Sequence, residues 1–577
     1  MSLPIVNNKF GSVSNLRIAP EQAIGVNQNV CKPQDLQDVP QQHLSGNPKR
    51  PLKLEDDSSN LYTYVLNPLL YCVWLILLVE AMERFAFYGI NMTTQSFLTG
   101  FYNADWNAGM SSTEASSVIF ESGAIAYAAP FIGAILADGF FGNYWTIILG
   151  CCILYIPGLA IIAATAYPFG ISDTFPTSLT YAGFMFLYPI GAGVLKSCVN
   201  VLGAQQFHPI YQAKAIERFY VFFYVFINIG ALLGGLIVPS LCQFNNMYVF
   251  YGYLLPVSLL SLALILFVLG TRRYVLMKPQ GSVIMKSIQA TGAATFRCPP
   301  SFNAVKISHG GKYEDSFISK MQMMGLVVVV MLFTVPFNIV YSQIATVFIT
   351  QGNAMQKVGI VDGSWMSNFD SISVIFSGFL VSGVIYPTLD RFGIELHMMT
   401  KFGIGTFIGG VVCVACVIID YQIHSHYNAT GEPINVFWQI VPYMLLGFGE
   451  IFVISSAYEA AFILSPDGFK TFGSALNLLC VGCIPNLLSA VILNACEAWA
   501  MTDANGGTEL NNLEEYSTAH VYRFLWVLAG ISFAASLICI LPPVKRMYDM
   551  VEKKSKMIED QSAGRAEVGF ESKPEAF

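Results

Sequence analysis

From about residue 71 onward, long apolar runs alternate with short polar segments along almost the whole chain. Each run has 20 or more residues, enough for a helix rising 1.5 Å per residue to cross a hydrocarbon layer of about 30 Å. The pattern predicts twelve spans, at roughly 71–98, 114–138, 143–166, 178–201, 216–240, 248–270, 322–350, 364–389, 397–419, 435–463, 472–495 and 519–542. The expected fold class is an all-α membrane protein. Two polar flanks lack any apolar period. Residues 1–62, rich in Gln, Asn, Pro and Asp, read as a disordered tail without a cleavable signal, and 546–577 read as a second tail.

Composition agrees with the pattern. A chain of 577 residues that is 54% apolar and 12% charged has too little charge to coat a soluble globule of its size. Its net charge of −7 is spread over tails and loops, so it forms no basic field for nucleic acid. Basic residues have a side. Arg272, Arg273, Lys278, Lys286, Arg297, Lys306, Lys312 and Lys320 lie between spans six and seven, whereas the loop after span eleven holds Glu497, Asp503, Glu509, Glu514 and Glu515. That asymmetry predicts a cytoplasmic linker at 272–320 and both termini in the cytoplasm. The membrane is expected to be the plasma membrane.

An internal repeat divides the spans into two bundles. Ala137-Asp138-Gly139-Phe140-Phe141-Gly142 follows span two, and Leu389-Asp390-Arg391-Phe392-Gly393 follows span eight, 252 residues later. The same offset carries Lys196 to within two residues of Glu450. Two pseudo-symmetric six-helix bundles, 63–271 and 321–545, are therefore expected, with a substrate site at the midplane between them.

Ionisable residues inside such spans are costly, about 2.5 to 3.5 kcal/mol each at a helix centre, and they mark pathways for ions or solutes. Glu80, Glu83 and Arg84 sit on span one, Lys196 on span four and Glu450 on span ten. Steps of three and four residues put positions 80, 83, 84 and 87 on one helical face. Two carboxylates and a guanidinium thus share a stripe, and Lys196 and Glu450 offer counter-charges from other helices. Paired histidines, metal clusters or an activated nucleophile on neighbouring turns are not evident, so no enzyme activity and no cofactor other than protons is expected.

Several motifs match one family in its own order. Glu80 to Gly89 reads as ExxERFxYYG with Phe87 in place of a Tyr. Pro130-Phe-Ile-Gly133-Ala-Ile-Leu-Ala137-Asp138 continues to Gly142-Asn143-Tyr144, with Asn143 where a basic residue is usual. Phe223-Tyr224-Val-Phe-Ile227-Asn228-Ile229-Gly230 matches FYxxINxG. Looser matches are Gly191-Ala-Gly193-Val-Leu-Lys196, Gly203-Ala-Gln205-Gln206-Phe207 with Gln205 in place of an acid, and Tyr341-Ser342-Gln343 where many relatives carry an acid. From about residue 70 to 545 the chain resembles the proton-dependent oligopeptide transporter family, a branch of the major facilitator superfamily.

The resemblance implies a proton-coupled symporter that imports di- and tripeptides by alternating access, with the peptide and the lipid bilayer as partners. The sequence leaves the oligomeric state open, a monomer included. A peptide zwitterion needs opposite charges across a cavity. Arg84 and Lys196 would hold its carboxylate and Glu450 its ammonium, while Asn228 and Asp370, at positions the family uses for polar contacts, would bind the amine or a peptide carbonyl. Tyr88 and Tyr127 would line side-chain pockets. Proton arrival at Glu83, assisted by Glu80, would release Arg84 or Lys196 to the substrate. The alternatives are a proton-coupled carrier of nitrate or another small metabolite, and a peptide sensor that does not transport.

Overall fold

A computed structural model describes residues 29–55, 59–244, 248–279, 281–296, 302–394, 396–466, 468–510 and 512–571. Among them, ten helical segments are long and apolar enough to cross a membrane. Span one, the 25-residue helix Trp74–Leu98, is additional to these ten because its three charged residues lower its hydropathy. Spans two and three form the single stretch Ser112–Thr165, which turns at Gly142, where φ is 76°. Only glycine takes that backbone freely. Gly393, at φ 67°, ends the matching motif of the second half. Trp74–Leu98 and the two arms of Ser112–Thr165 correspond to predicted spans one, two and three.

The apolar core follows the same division. One cluster of buried side chains runs from Cys72 to Tyr274, and two others draw mainly on residues 290 to 551. Within the first half, span one packs against Ala213–Cys242, span five. A Cβ at Gly230 would lie 2.2 Å from the Ala81 carbonyl oxygen, and one at Gly234 2.3 Å from that of Phe85. This small-xxx-small face lets the two backbones touch on either side of Arg84. Larger residues there would push span one off its partner.

Four segments differ from the sequence expectation. The described part of the supposed tail, 29–55 and 59–62, is folded, with Leu52–Glu55 and Leu61–Tyr64 pairing antiparallel; residues 1–28 and 56–58 lie outside the described residues. Leu52, Leu54, Tyr62 and Tyr64 alternate inward onto Tyr211 and Val275, a period of two too short to stand out in a polar stretch. Pro542–Glu571, read as a tail from 546, is helical, and Tyr548, Val551 and Ser555 are buried along one face. The linker 272–320 contains the helix Val283–Thr295, whose Ala290 and Ala294 join the same buried cluster as Tyr548 and Val551. The ninth span also runs on to Thr430, past its predicted end, because buried Asp420 accepts hydrogen bonds from the Tyr516 hydroxyl (2.6 Å) and the Tyr522 amide (3.2 Å).

The folded N-terminal segment is tied to the loop between spans four and five. Gln212 Nε2 donates to the carbonyls of Val30, Val65 and Leu66, and Arg50 donates to those of Arg272 and Arg273. His208 is fully buried among them. Its Nε2 meets the Lys53 carbonyl at 3.2 Å, and its Nδ1 accepts from the amides of Ile210 and Tyr211. Only a neutral ring satisfies both sides, since an imidazolium has no acceptor nitrogen. Burial accordingly pushes the His208 imidazole down from 6.5 to about 4. The unfolded segment therefore binds the extra proton between these values. The contribution, roughly 3 kcal/mol at most, is complete above pH 6.5 and is lost as pH falls toward 4. Amide exchange across 52–64, corrected for its intrinsic pH dependence, is expected to quicken between pH 7.5 and pH 5. Equal protection at the two values would contradict this role of His208.

Candidate functional site

Span one carries the centre of the site. Glu80, Glu83 and Arg84 are 3%, 0% and 8% exposed. Arg84 Nε donates to Glu80 Oε1 at 2.9 Å, and Glu83 Oε2 sits 2.7 Å from the same nitrogen without the alignment of a hydrogen bond. One N–H cannot point at two acceptors. Glu83 Oε1 instead accepts from the Tyr155 hydroxyl at 3.2 Å. Among the described residues neither Nη nitrogen of Arg84 is hydrogen-bonded, so the two-pronged end of the guanidinium is left for another anion.

Lys196 lies close by but pairs differently from the sequence expectation. It forms no ion pair among the described residues; its ammonium lies 4.0 Å from the ring centre of Phe87 and 4.2 Å from that of Tyr127. Glu83, Glu80 and Arg84 are within its electrostatic reach. Arg84 therefore serves as the counter-ion of Glu83, and two aromatic faces hold Lys196 in a cation–π arrangement. Phe87 in turn stacks on Tyr188 and meets Tyr88 edge to face.

The second half faces this cluster with carboxylates. Glu450, at the end of the helix Ile440–Glu450, and Asp370, in Asn368–Leu380, interact electrostatically with each other and both act on Tyr88 of span one. Glu450 Oε2 and Asp370 Oδ1 are buried without a hydrogen-bond partner. Tyr127 is half-buried beside Lys196, with Arg84 and Glu450 both acting on it. Asn228 is more committed, because its Nδ2 donates to the Tyr224 carbonyl one turn back at 2.8 Å. The same side-chain amide also reaches the Tyr224 hydroxyl.

The two ends of the chamber differ. At one end, Gln95 Nε2 donates to Thr350 Oγ1 (3.1 Å), Asn353 Nδ2 to Ser96 Oγ (2.9 Å) and the Tyr102 hydroxyl to Asp362 (3.2 Å), while Ser96 and Ser364 meet at 3.1 Å. Each contact joins the two halves. On the other side, Tyr224 and Tyr458 lie within reach of Glu450 yet are 54% and 46% exposed. Hydrogen bonds between the halves thus gather at the first end, while Tyr224 and Tyr458 are exposed toward the second.

Comparison with known proteins fits this architecture. The solved structures of an auto-inhibited POT family peptide transporter and of the POT family transporter PepTSo superpose with a TM-score of 0.65 each, at 22% and 21% identity. They cover 81% and 83% of this chain and 95% and 98% of their own. A sequence model of the POT family matches residues 144–509, more than half of the chain. The chain belongs to the POT family. Similar members include NRT1/PTR FAMILY 8.3 of Arabidopsis thaliana, 28% identical over 78% of this chain and 87% of that protein. Peptide transporter PTR2 of Saccharomyces cerevisiae is 27% identical over 74% of this chain and 75% of its own length. This POT family member is a membrane transporter with the major facilitator fold, not an enzyme.

Two departures from the family motifs prove to be one. Asn143 Nδ2 donates to Gln205 Oε1 at 3.3 Å, so the missing base and the missing acid are neighbours, replaced together by an amide pair. Gln343, in place of the span-seven acid, is fully buried and donates to the Ile339 carbonyl on its own helix at 2.9 Å. None of Tyr155, Tyr224, Tyr341 and Tyr458 is read from the sequence as a site residue, although Tyr224 and Tyr341 stand within its motifs. Their signal was a hydroxyl inside an otherwise apolar span, but spacing along one helix does not say which groups another helix brings to it.

The Arg84 cluster makes a stability prediction. Arg84→Ala would leave Glu80 and Glu83 buried without their counter-ion, a loss of about 3–5 kcal/mol for a broken buried pair. The detergent-purified variant is expected to unfold well below wild type in a melting scan, and the Glu83→Gln/Arg84→Ala double variant is expected to recover part of the loss. Equal melting temperatures for Arg84→Ala and wild type would contradict the ion-pair geometry.

Proposed function

We propose that this POT family member is a proton-coupled symporter that carries di- and tripeptides by alternating access. The observation that carries the reading is the charge layout. Arg84, held from behind by Glu80 and Glu83, and Lys196, resting on aromatic faces, stand on one half, and the unpaired Glu450 and Asp370 stand on the other. A zwitterionic backbone fits between such poles, carboxylate toward the bases and ammonium toward Glu450. Peptide transporters among the fungal relatives and the solved family members support the substrate class.

Coupling resides in the Glu83–Arg84 contact. A proton reaching Glu83 cancels one of the two negative charges that hold Arg84, and the guanidinium fork and Lys196 then engage the substrate carboxylate. Loss of the proton on the other side restores the pair and resets the empty carrier. With both termini in the cytoplasm of a plasma-membrane protein, the end joined by hydrogen bonds is a latch that faces outward, and the end with Tyr224 and Tyr458 faces the inside. One proton suffices: about 100 mV gives ~2.3 kcal/mol per charge, and one pH unit gives ~1.36 kcal/mol. Together these concentrate a neutral peptide some hundreds of times. Carriage of nitrate is the poorer reading, because the carboxylates of Glu450 and Asp370 repel an anion.

In proteoliposomes, wild type is expected to concentrate a labelled dipeptide only when a pH gradient is imposed. Glu83→Gln is expected to keep exchange of internal for external peptide and to lose uphill uptake. Concentrative uptake by Glu83→Gln would reject the coupling assignment, and absence of any dipeptide flux through wild type would reject the substrate.

A further inference from the structure

The two halves contribute charge to the chamber unequally. The first supplies two acids and two bases, Glu80, Glu83, Arg84 and Lys196; among the described residues the second supplies Asp370 and Glu450 and no Lys or Arg that acts on them. Their helices touch. A Cβ at Gly447 would lie 2.7 Å from the Asp370 carbonyl oxygen and 2.8 Å from Ser373 Cβ, so only glycine admits this approach. Glu450, three residues on, falls on the same helical face as Gly447.

Asp370 is 4% exposed and lines a small recess with Tyr88, Met92, Gly235, Ile344 and Asn368. Its Oδ1 has no hydrogen-bond partner, and neither has Glu450 Oε2. The groups facing the two carboxylates are tyrosines: Tyr88, Tyr224 and Tyr341 act on both, and Tyr443 acts on Asp370. Among the described residues no Lys or Arg acts directly on either carboxylate.

We propose that Asp370 makes the chamber selective for substrates that carry a positive charge beyond the α-ammonium, namely peptides with a basic side chain. The assignment rests on the peptide reading above. A neutral zwitterion sets its carboxylate against a base of the first half and brings one ammonium to two carboxylates, Glu450 and Asp370, which leaves one of their two negative charges unbalanced. A buried carboxylate without a partner is costly. A basic side chain removes that cost, whereas an acidic one adds a second like charge to the recess. One such charge pair at an effective dielectric of ~20 changes affinity by about tenfold or more.

The test measures how unlabelled dipeptides compete with labelled alanyl-alanine for uptake by the full-length protein in proteoliposomes. Lysyl-alanine or alanyl-lysine is expected to compete at a concentration about tenfold or more below that of alanyl-glutamate. Asp370→Asn and Asp370→Ser are each expected to bring that ratio to within about twofold, and Asp370→Glu is expected to keep it. Ligand-induced melting shifts of the detergent-purified proteins should give the same order, so a variant that no longer transports still reports. A wild-type ratio near one, which requires no variant, or a ratio that survives Asp370→Asn, overturns the assignment while leaving peptide transport standing. Failure of wild type to bind or move any of the dipeptides overturns the peptide reading and this assignment with it.

Discussion

A single guanidinium held between two carboxylates inside an apolar bundle sets the terms for everything around it. Glu80, Glu83 and Arg84 occupy adjoining turns of one helix and are almost wholly removed from solvent. Charges so placed need partners, because desolvation costs more than loose contacts return. The surroundings meet that need piece by piece. Tyr155 donates to Glu83 from span three, the glycines of span five let its backbone lie against residues 81 and 85, and Phe87 and Tyr127 receive the remaining cation, Lys196. Arg84 is held through Nε, which leaves its fork free.

The same helix reaches the latch. Gln95 and Ser96 lie eleven and twelve residues beyond Arg84, about 16–18 Å along the axis at 1.5 Å per residue. The contacts they make across the halves are neutral hydrogen bonds. Each contributes only about 0.5–1.5 kcal/mol net, so a few of them hold the end shut without making it permanent. Ion pairs stay within one half at the centre, and hydrogen bonds, mostly between neutral groups but with one from Tyr102 to the Asp362 carboxylate, join the halves at the end. A change of charge at the centre is thus large compared with what keeps the latch closed.

Much of this was legible in the sequence, for reasons that also mark where legibility ended. The length of the apolar runs set the spans, and three and four residue spacing put Glu80, Glu83 and Arg84 on one face, because both are properties of a single helix. Relations between helices were not readable. Asn143 and Gln205 are 62 residues apart in sequence yet 3.3 Å apart in space, and Lys196, expected beside an acid, rests on rings whose ammonium-binding faces have no linear signature. The folded flanks were missed for a different reason. Four alternating residues in each strand and one buried face on the helix Pro542–Glu571 are too little apolar pattern to show against a polar composition.

The central claim is that the charge state of the Arg84 cluster decides which end of the chamber is shut. Double electron–electron resonance tests it most directly, with spin labels at the exposed positions Asp105 and Lys357, one on each half at the latched end, in a background lacking the exposed Cys152. The account predicts one short distance at pH 7.5, and a second, longer one at pH 5 and in Glu83→Gln at either pH. Identical distance distributions across both pH values and the variant would contradict it.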